Sequence, residues 1–145
     1  RREFEIPENW KGREVFISFD GVDSFFYLWI NGQYVGFSKN SRNAARFNIT
    51  KYLVKGKNTV AAEVYRNSDG SFLEAQDMYR LPGIFRTVAL YSTPRVQIRD
   101  LQVIPDYQNG TGSLDVTINL RNLNSKKAAL TNYKIRYSLF ANKLY

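Results

Sequence analysis

The six residues Phe-Phe-Tyr-Leu-Trp-Ile at positions 25–30 run directly into Asn31 and Gly32, and no other stretch limits the fold so tightly. Aromatic and β-branched side chains suit a pleated surface, so the run predicts a strand. Its nearly unbroken apolar character predicts burial on both faces. An Asn-Gly pair behind such a run signals a two-residue hairpin, because a type I′ turn needs positive φ at both central positions. Tyr34-Val35-Gly36-Phe37 is then the returning strand, with Gly36 marking a bulge or a close backbone approach.

The remaining chain follows the same pattern. Glu-Val-Phe-Ile-Ser-Phe at 14–19 alternates as a strand, and Asp20-Gly21 breaks it. Residues 38–43 are polar and loop-like, while Phe47 and Ile49 point inward at period two. A short turn is predicted at 50–54, and Lys55-Gly56-Lys57-Asn58 is turn chemistry. Strand character resumes at 59–65 and again, after a long connection, at Phe85, Val88 and Leu90. No helix of ordinary length is predicted.

Proline cannot continue a ladder and biases its predecessor to an extended form, so Ser92-Thr93-Pro94 reads as a linker. Beyond it, 96–104, 113–120 and 133–139 alternate as strands, with turns at 106–112 and 122–127. Three such strands look like the opening of an immunoglobulin-like sandwich, which needs about seven. The chain thus predicts an all-β fold in two units, 1–94 and 95–145, the second incomplete. Its first residues, Arg-Arg-Glu-Phe-Glu-Ile-Pro, read as a strand entered midway.

Histidine and cysteine are both absent, which removes Ser-His-Asp and Cys-His nucleophiles, disulfides and histidine-based zinc sites. Carboxylates, Tyr, Lys and Arg remain for chemistry. No run of about 18 apolar residues is present, so no membrane span is predicted. The net charge of +8 gathers in two stretches without acids, one holding Lys39, Arg42, Arg46, Lys51, Lys55 and Lys57, the other Arg121, Lys126, Lys127, Lys134, Arg136 and Lys143. Basic surfaces can attract nucleic acid. Here the charges sit singly in turns and at strand edges, which favours solvated surface or contact with an acidic domain over a nucleic-acid partner.

Residues 71–86 concentrate the chemistry. They hold two carboxylates (Glu74, Asp77), an amide (Gln76), two guanidiniums (Arg80, Arg86) and three aromatics (Phe72, Tyr79, Phe85). A connection this long between strands is functional or disordered. Phe72, Leu73, Met78, Tyr79 and Leu81 give it the apolar content that disordered segments lack. Ordered polar loops on a sheet scaffold are common binding sites. The alternative is a network of Glu74 and Asp77 with Arg80 and Arg86 that only closes the end of a sandwich.

Four pieces in this order and spacing carry a resemblance: Phe19-Asp20-Gly21-Val22-Asp23-Ser24, Tyr27-Leu28-Trp29-Ile30-Asn31-Gly32, Val35-Gly36-Phe37-Ser38, and Gln76-Asp77-Met78-Tyr79-Arg80 through Gly83-Ile84-Phe85-Arg86. Over residues 4–91 the chain closely resembles the sugar-binding N-terminal domain of glycoside hydrolase family 2, of the bacterial β-galactosidase type. The resemblance implies a jelly-roll, galactose-binding-like sandwich, then an immunoglobulin-like domain leading to a catalytic (β/α)₈ barrel. It implies a β-galactoside substrate, a homo-oligomer at full length, a shared sodium site, and magnesium held in the parent enzyme but not by this part. The compartment stays open between bacterial cytoplasm and periplasm.

The aspartate of the Gln-Asp-Met motif maps onto Asp77, implied to contact galactose hydroxyls and sodium. An ionised carboxylate accepts hydrogen bonds from vicinal hydroxyls and can ligate a hard cation. Glu74 and Gln76 are implied to support the loop, with Tyr79 as an aromatic surface and Arg80 pairing with a carboxylate. Ala75 stands where the family often has an acid, and Tyr79 where tryptophan is common. Catalysis in the family is retaining and uses two barrel glutamates, so no catalytic residue is expected here and the chain alone is expected to be inactive. Without the family, the competing reading is a free-standing carbohydrate-binding module. Trp29 is expected in the core, and the sequons at Asn48 and Asn109 are read as chance.

Overall fold

A computed structural model of the protein describes residues 1–73, 79, 81–124, 130 and 133–140. Eleven strands appear among them: β1 (Arg2–Glu5), β2 (Glu14–Phe19), β3 (Val22–Asp23), β4 (Phe25–Ile30), β5 (Gln33–Ser38), β6 (Ala45–Asn48), β7 (Lys57–Tyr65), β8 (Gly83–Ile84), β9 (Val88–Thr93), β10 (Val96–Gln108) and β11 (Thr111–Asn122). One short helix, α1 (Asp69–Leu73), and two 3₁₀ turns, Glu8–Trp10 and Thr50–Tyr52, complete the described elements. No helix among the described residues is long and apolar enough to cross a membrane.

Two antiparallel sheets, β1-β7-β4-β5 and β6-β2-β9, face each other as the expected sandwich. Period-two alternation sends Val15, Ile17 and Phe19 of β2 and Phe26, Leu28 and Ile30 of β4 into one shared core with Val22 and Ile49. Full burial of each such side chain contributes roughly 1.5–3 kcal/mol.

The strand buried on both faces is β2, not β4. Glu14, Phe16 and Ser18 on the outer side of β2 are covered: Phe16 stacks on Tyr91 at 5.3 Å, and Glu14 meets Asn48 and Arg95. In β4 only alternate residues are buried, and Phe25, Tyr27 and Trp29 lie half-buried on the outer face. Trp29 is therefore not a core residue. Its ring packs beside those of Tyr27 and Tyr34 instead.

The Asn31-Gly32 hairpin forms as expected, with φ of 51° and 77°. The register passes from Leu28↔Gly36 to Trp29↔Tyr34, so Val35 is the extra residue of a bulge beside Gly36. A Cβ on Gly36 would lie 3.1 Å from the Phe47 ring, so the expected close approach is present as well.

After Pro94 the chain forms the long ribbon β10-β11. Its turn is only Asn109-Gly110, again with positive φ at both residues, where a loop over 106–112 was expected. The expected third strand at 133–139 is absent, and residues 133–140 are exposed. A lone two-stranded ribbon offers too little apolar cover to hold another strand.

Candidate functional site

The connection from β7 to β9 leaves and rejoins the sandwich at one place, residues 20–24. On the outgoing side Ser24 sits at φ 72°, a conformation that costs a non-glycine residue about 1–2 kcal/mol. Local hydrogen bonds offset that strain. The Ser24 N–H donates to Ser41 Oγ at 2.9 Å, and Ser24 Oγ lies 3.0 Å from Ser68 Oγ and 2.9 Å from Ser71 Oγ. Ser71 Oγ also accepts the Ser68 N–H at 2.9 Å. Ser24, Ser41 and Ser71 are all buried, so these hydroxyls hold α1 against the β3–β4 corner where water does not compete.

On the returning side β8 pairs with β3, Val22↔Ile84 and Asp23↔Gly83. The Phe85 N–H donates to Gly21 O at 3.2 Å, and the Asp20 N–H to Thr87 O at 3.0 Å. Two guanidiniums lie near the Phe85 ring, Arg42 at 5.7 Å and Arg86 at 5.5 Å from its centre. Gly21 makes room for that ring, because a Cβ there would sit 2.7 Å from Phe85 Cζ. Both ends of the connection are thereby pinned to one corner of the sandwich.

Of the expected site residues, Glu74, Gln76, Asp77 and Arg80 lie outside the described residues. Tyr79 is described and is 94% exposed, and Phe72, Leu73 and Leu81 are also largely exposed. These side chains face outward rather than filling the loop. The alternative ion-pair network also falls outside the described residues, except for Arg86, which packs on Phe85.

The sequence reading missed a second feature beside α1. The outer face of β4, β5 and β7 presents Phe25, Tyr27, Trp29, Tyr34, Phe37 and Tyr65 in one contiguous set, with ring centres 4.6–6.4 Å apart. Four of these rings line an open concavity closed at one end by Lys39, Ser68 and Asp69. Lys39 Nζ donates to Asp69 Oδ2 at 2.9 Å, and this hydrogen bond holds the Asp69 carboxyl below its ordinary range. Tyr65 donates its hydroxyl to Glu63 at 3.0 Å, which pushes the phenol above its ordinary value. In the sequence, Phe25, Tyr27 and Trp29 alternate with Phe26, Leu28 and Ile30, and the unbroken apolarity of 25–30 hid which set faces out.

Comparison with known proteins adds to this geometry. Residues 1–94 match the family model described as "Glycosyl hydrolases family 2, sugar binding domain". The chain is 50% identical over 123 residues to a protein of Priestia megaterium named "Beta-galactosidase", covering 83% of this chain and 12% of that protein. It is 40% identical over 150 aligned positions to a "Beta-galactosidase" of Yersinia pestis, covering 99% of this chain and 14% of that protein. Among solved structures, a beta-glycosidase from Bacteroides vulgatus superposes with a TM-score of 0.68 at 29% identity, over 86% of this chain and 16% of that one. A Bacteroides uniformis beta-glucuronidase, at 24% identity and a TM-score of 0.65 over 73% of this chain and 14% of that one, shares the fold. The chain spans only about one eighth of the length of the relatives it matches.

Proposed function

The chain belongs to glycosyl hydrolase family 2, as a member of its sugar-binding domain family, and from that premise we propose that it is the non-catalytic N-terminal part of a retaining β-galactosidase. In this reading it supplies one substrate-contacting residue, Asp77, and the scaffold that holds it. The observation carrying the reading is 40–50% identity to proteins named β-galactosidase across most of the chain. The anchoring supports it, because the described ends of the connection, α1 and β8, are both held at residues 20–24. The outward Phe72, Leu73, Tyr79 and Leu81 give that loop an apolar surface for a neighbouring catalytic barrel of the same polypeptide.

The Asp77 carboxylate accepts hydrogen bonds from two vicinal hydroxyls of galactose and so fixes the ring's orientation. It does not attack the sugar; the nucleophile and the acid/base are two glutamates of the barrel. Among the described residues no group of three or more carboxylates gathers to grip a cation. For sodium, Asp77 is one oxygen ligand of a shell completed elsewhere in the full-length enzyme.

The test is Asp77→Asn in the full-length enzyme. The substitution keeps the shape and removes the charge, so loss of one or two charge-assisted hydrogen bonds lowers kcat/KM roughly tenfold to hundredfold on a β-galactoside. Unchanged kinetics would reject the assignment.

A second reading, a module that binds carbohydrate by itself, is favoured by the aromatic concavity beside Lys39 and Asp69, since exposed rings stack on pyranose faces. Calorimetric titration of the 145-residue chain with galactose and lactose separates the two. Heat of binding supports the module, and its absence supports the enzyme fragment.

A further inference from the structure

The two acid-free stretches of the sequence meet in space. Arg46, from the first, lies opposite Ser18 in the β2–β6 ladder, and Asn48 and Tyr91 both lie opposite Phe16. These five share the outer face of the three-stranded sheet. Arg121, from the second stretch, lies opposite Gln97 at the base of the β10-β11 ribbon. Arg46, Asn48 and Tyr91 form one wall of a crevice and Gln97, Arg99 and Arg121 the other.

Arg99 reaches this place through a bulge. The ladder passes from Ile98↔Leu120 to Asp100↔Asn119, so Arg99 has no opposite residue. A bulge re-aims the side chain it carries and is often found where that aim matters. The carboxylates at the two ends of β2 are already engaged: Glu14 is buried, accepts from Asn48 Nδ2 at 2.8 Å and lies 3.3 Å from Arg95 Nε, and Asp20 accepts from Ser18 Oγ at 2.7 Å. Arg46, Arg99 and Arg121 have no carboxylate partner among the described residues. Three arginines, each a fork of N–H donors, thus line one crevice together with the stacked rings of Phe16 and Tyr91.

We infer that the crevice between the sandwich and the ribbon is an oxyanion-binding seat, built by Arg46, Arg99 and Arg121 for a phosphate- or carboxylate-bearing ligand. The guanidinium forks match planar or tetrahedral oxyanions, and the stacked rings give an apolar floor that strengthens each charge-assisted bond. None of the residues lining it belongs to the 71–86 connection.

The test is titration of the ¹⁵N-labelled 145-residue chain with inorganic phosphate and, in a second arm, with succinate, at constant ionic strength set with chloride. The side-chain Nε–H signals of Arg46, Arg99 and Arg121 should move together along one saturable curve while that of Arg66 stays put. Arg99→Gln and Arg121→Gln, both at exposed positions, should each weaken binding about tenfold or more with an unchanged melting temperature, and Arg66→Gln should not weaken it. Saturation by phosphate alone identifies a phosphate-type ligand, and saturation by succinate alone or by both a carboxylate-type one; either supports the seat. No saturation by either anion, or equal shifts at every arginine, overturns it.

Discussion

Asp69 shows how a single residue ties the helical turn to the strand beside it. Its carboxyl is held below the ordinary value near 3.8, first by the hydrogen bond from Lys39 and then by the Gly70 N–H. A folded-state value below the unfolded one means the ionised pair contributes stability at and above the ordinary carboxyl range. That contribution is lost as pH falls through the lowered value. Both side chains are exposed, so the effect on stability is small and the titration itself is the cleaner readout. Lys39→Met should raise the Asp69 carboxyl toward its ordinary value in a carboxyl-detected NMR titration; no movement would mean that the ion pair is not the cause. Sequence inspection reaches some residues of this kind and not others. Asn58 is legible as turn chemistry, yet its side chain is 1% exposed and fully engaged. Its Oδ1 accepts from the Val54 N–H and from Asn31 Nδ2, and its Nδ2 donates to the carbonyls of Val54 and Gly56. The local pattern names the turn but not the hairpin amide, 27 residues away, that completes it. Asp77 is the opposite case, since only resemblance to a family singles it out.

Among elements, the hairpins were legible because Asn-Gly is a local signal that tertiary context seldom overrides. Burial was less so. The run at 25–30 is apolar throughout, but a strand's faces differ by what packs on them, and aromatic rings can tile an open face as well as fill a core. The same limit explains why β2, with Glu14 and Ser18 in it, proved the more deeply buried strand. The corner at residues 20–24 gives the element-scale prediction. Gly21→Ala places a methyl group 2.7 Å from Phe85 Cζ, 2.9 Å from Cε2 and 3.0 Å from Arg86 Cδ. Two guanidiniums lie 5.7 and 5.5 Å from the ring centre, so moving the ring disturbs those contacts as well. The substitution should cost about 1–3 kcal/mol and speed amide exchange in β3 and β8 before the rest of the sandwich. Gly112→Ala, where nothing lies within 4 Å, is the control and should be close to neutral. Equal effects from the two would show that Phe85 does not depend on the missing Cβ.

For the whole molecule, the question is whether the ribbon and the sandwich are one folding unit or two. Every residue of the hydrophobic core precedes Pro94, while most of β10 and β11 is exposed. What joins them is local, the Arg95 contact with Glu14 at 3.3 Å; the Leu123 N–H to Arg95 O bond at 2.7 Å closes the base of the ribbon itself. An isolated two-stranded ribbon is marginal in water, whereas a sandwich with its own core is not. A chain ending at residue 94 should therefore melt in one cooperative calorimetric transition. Its stability should fall by about 1–3 kcal/mol, because Glu14 keeps Asn48 but loses its cation. Residues 95–145 alone should show no transition. A non-cooperative melt of the shorter chain would mean that the ribbon is needed to close the fold, and the division at Pro94 would have to be abandoned. A sharp transition would leave the ribbon as an arm that carries its exposed Ile98, Leu101, Val103 and Ile104 outside the core of the sandwich.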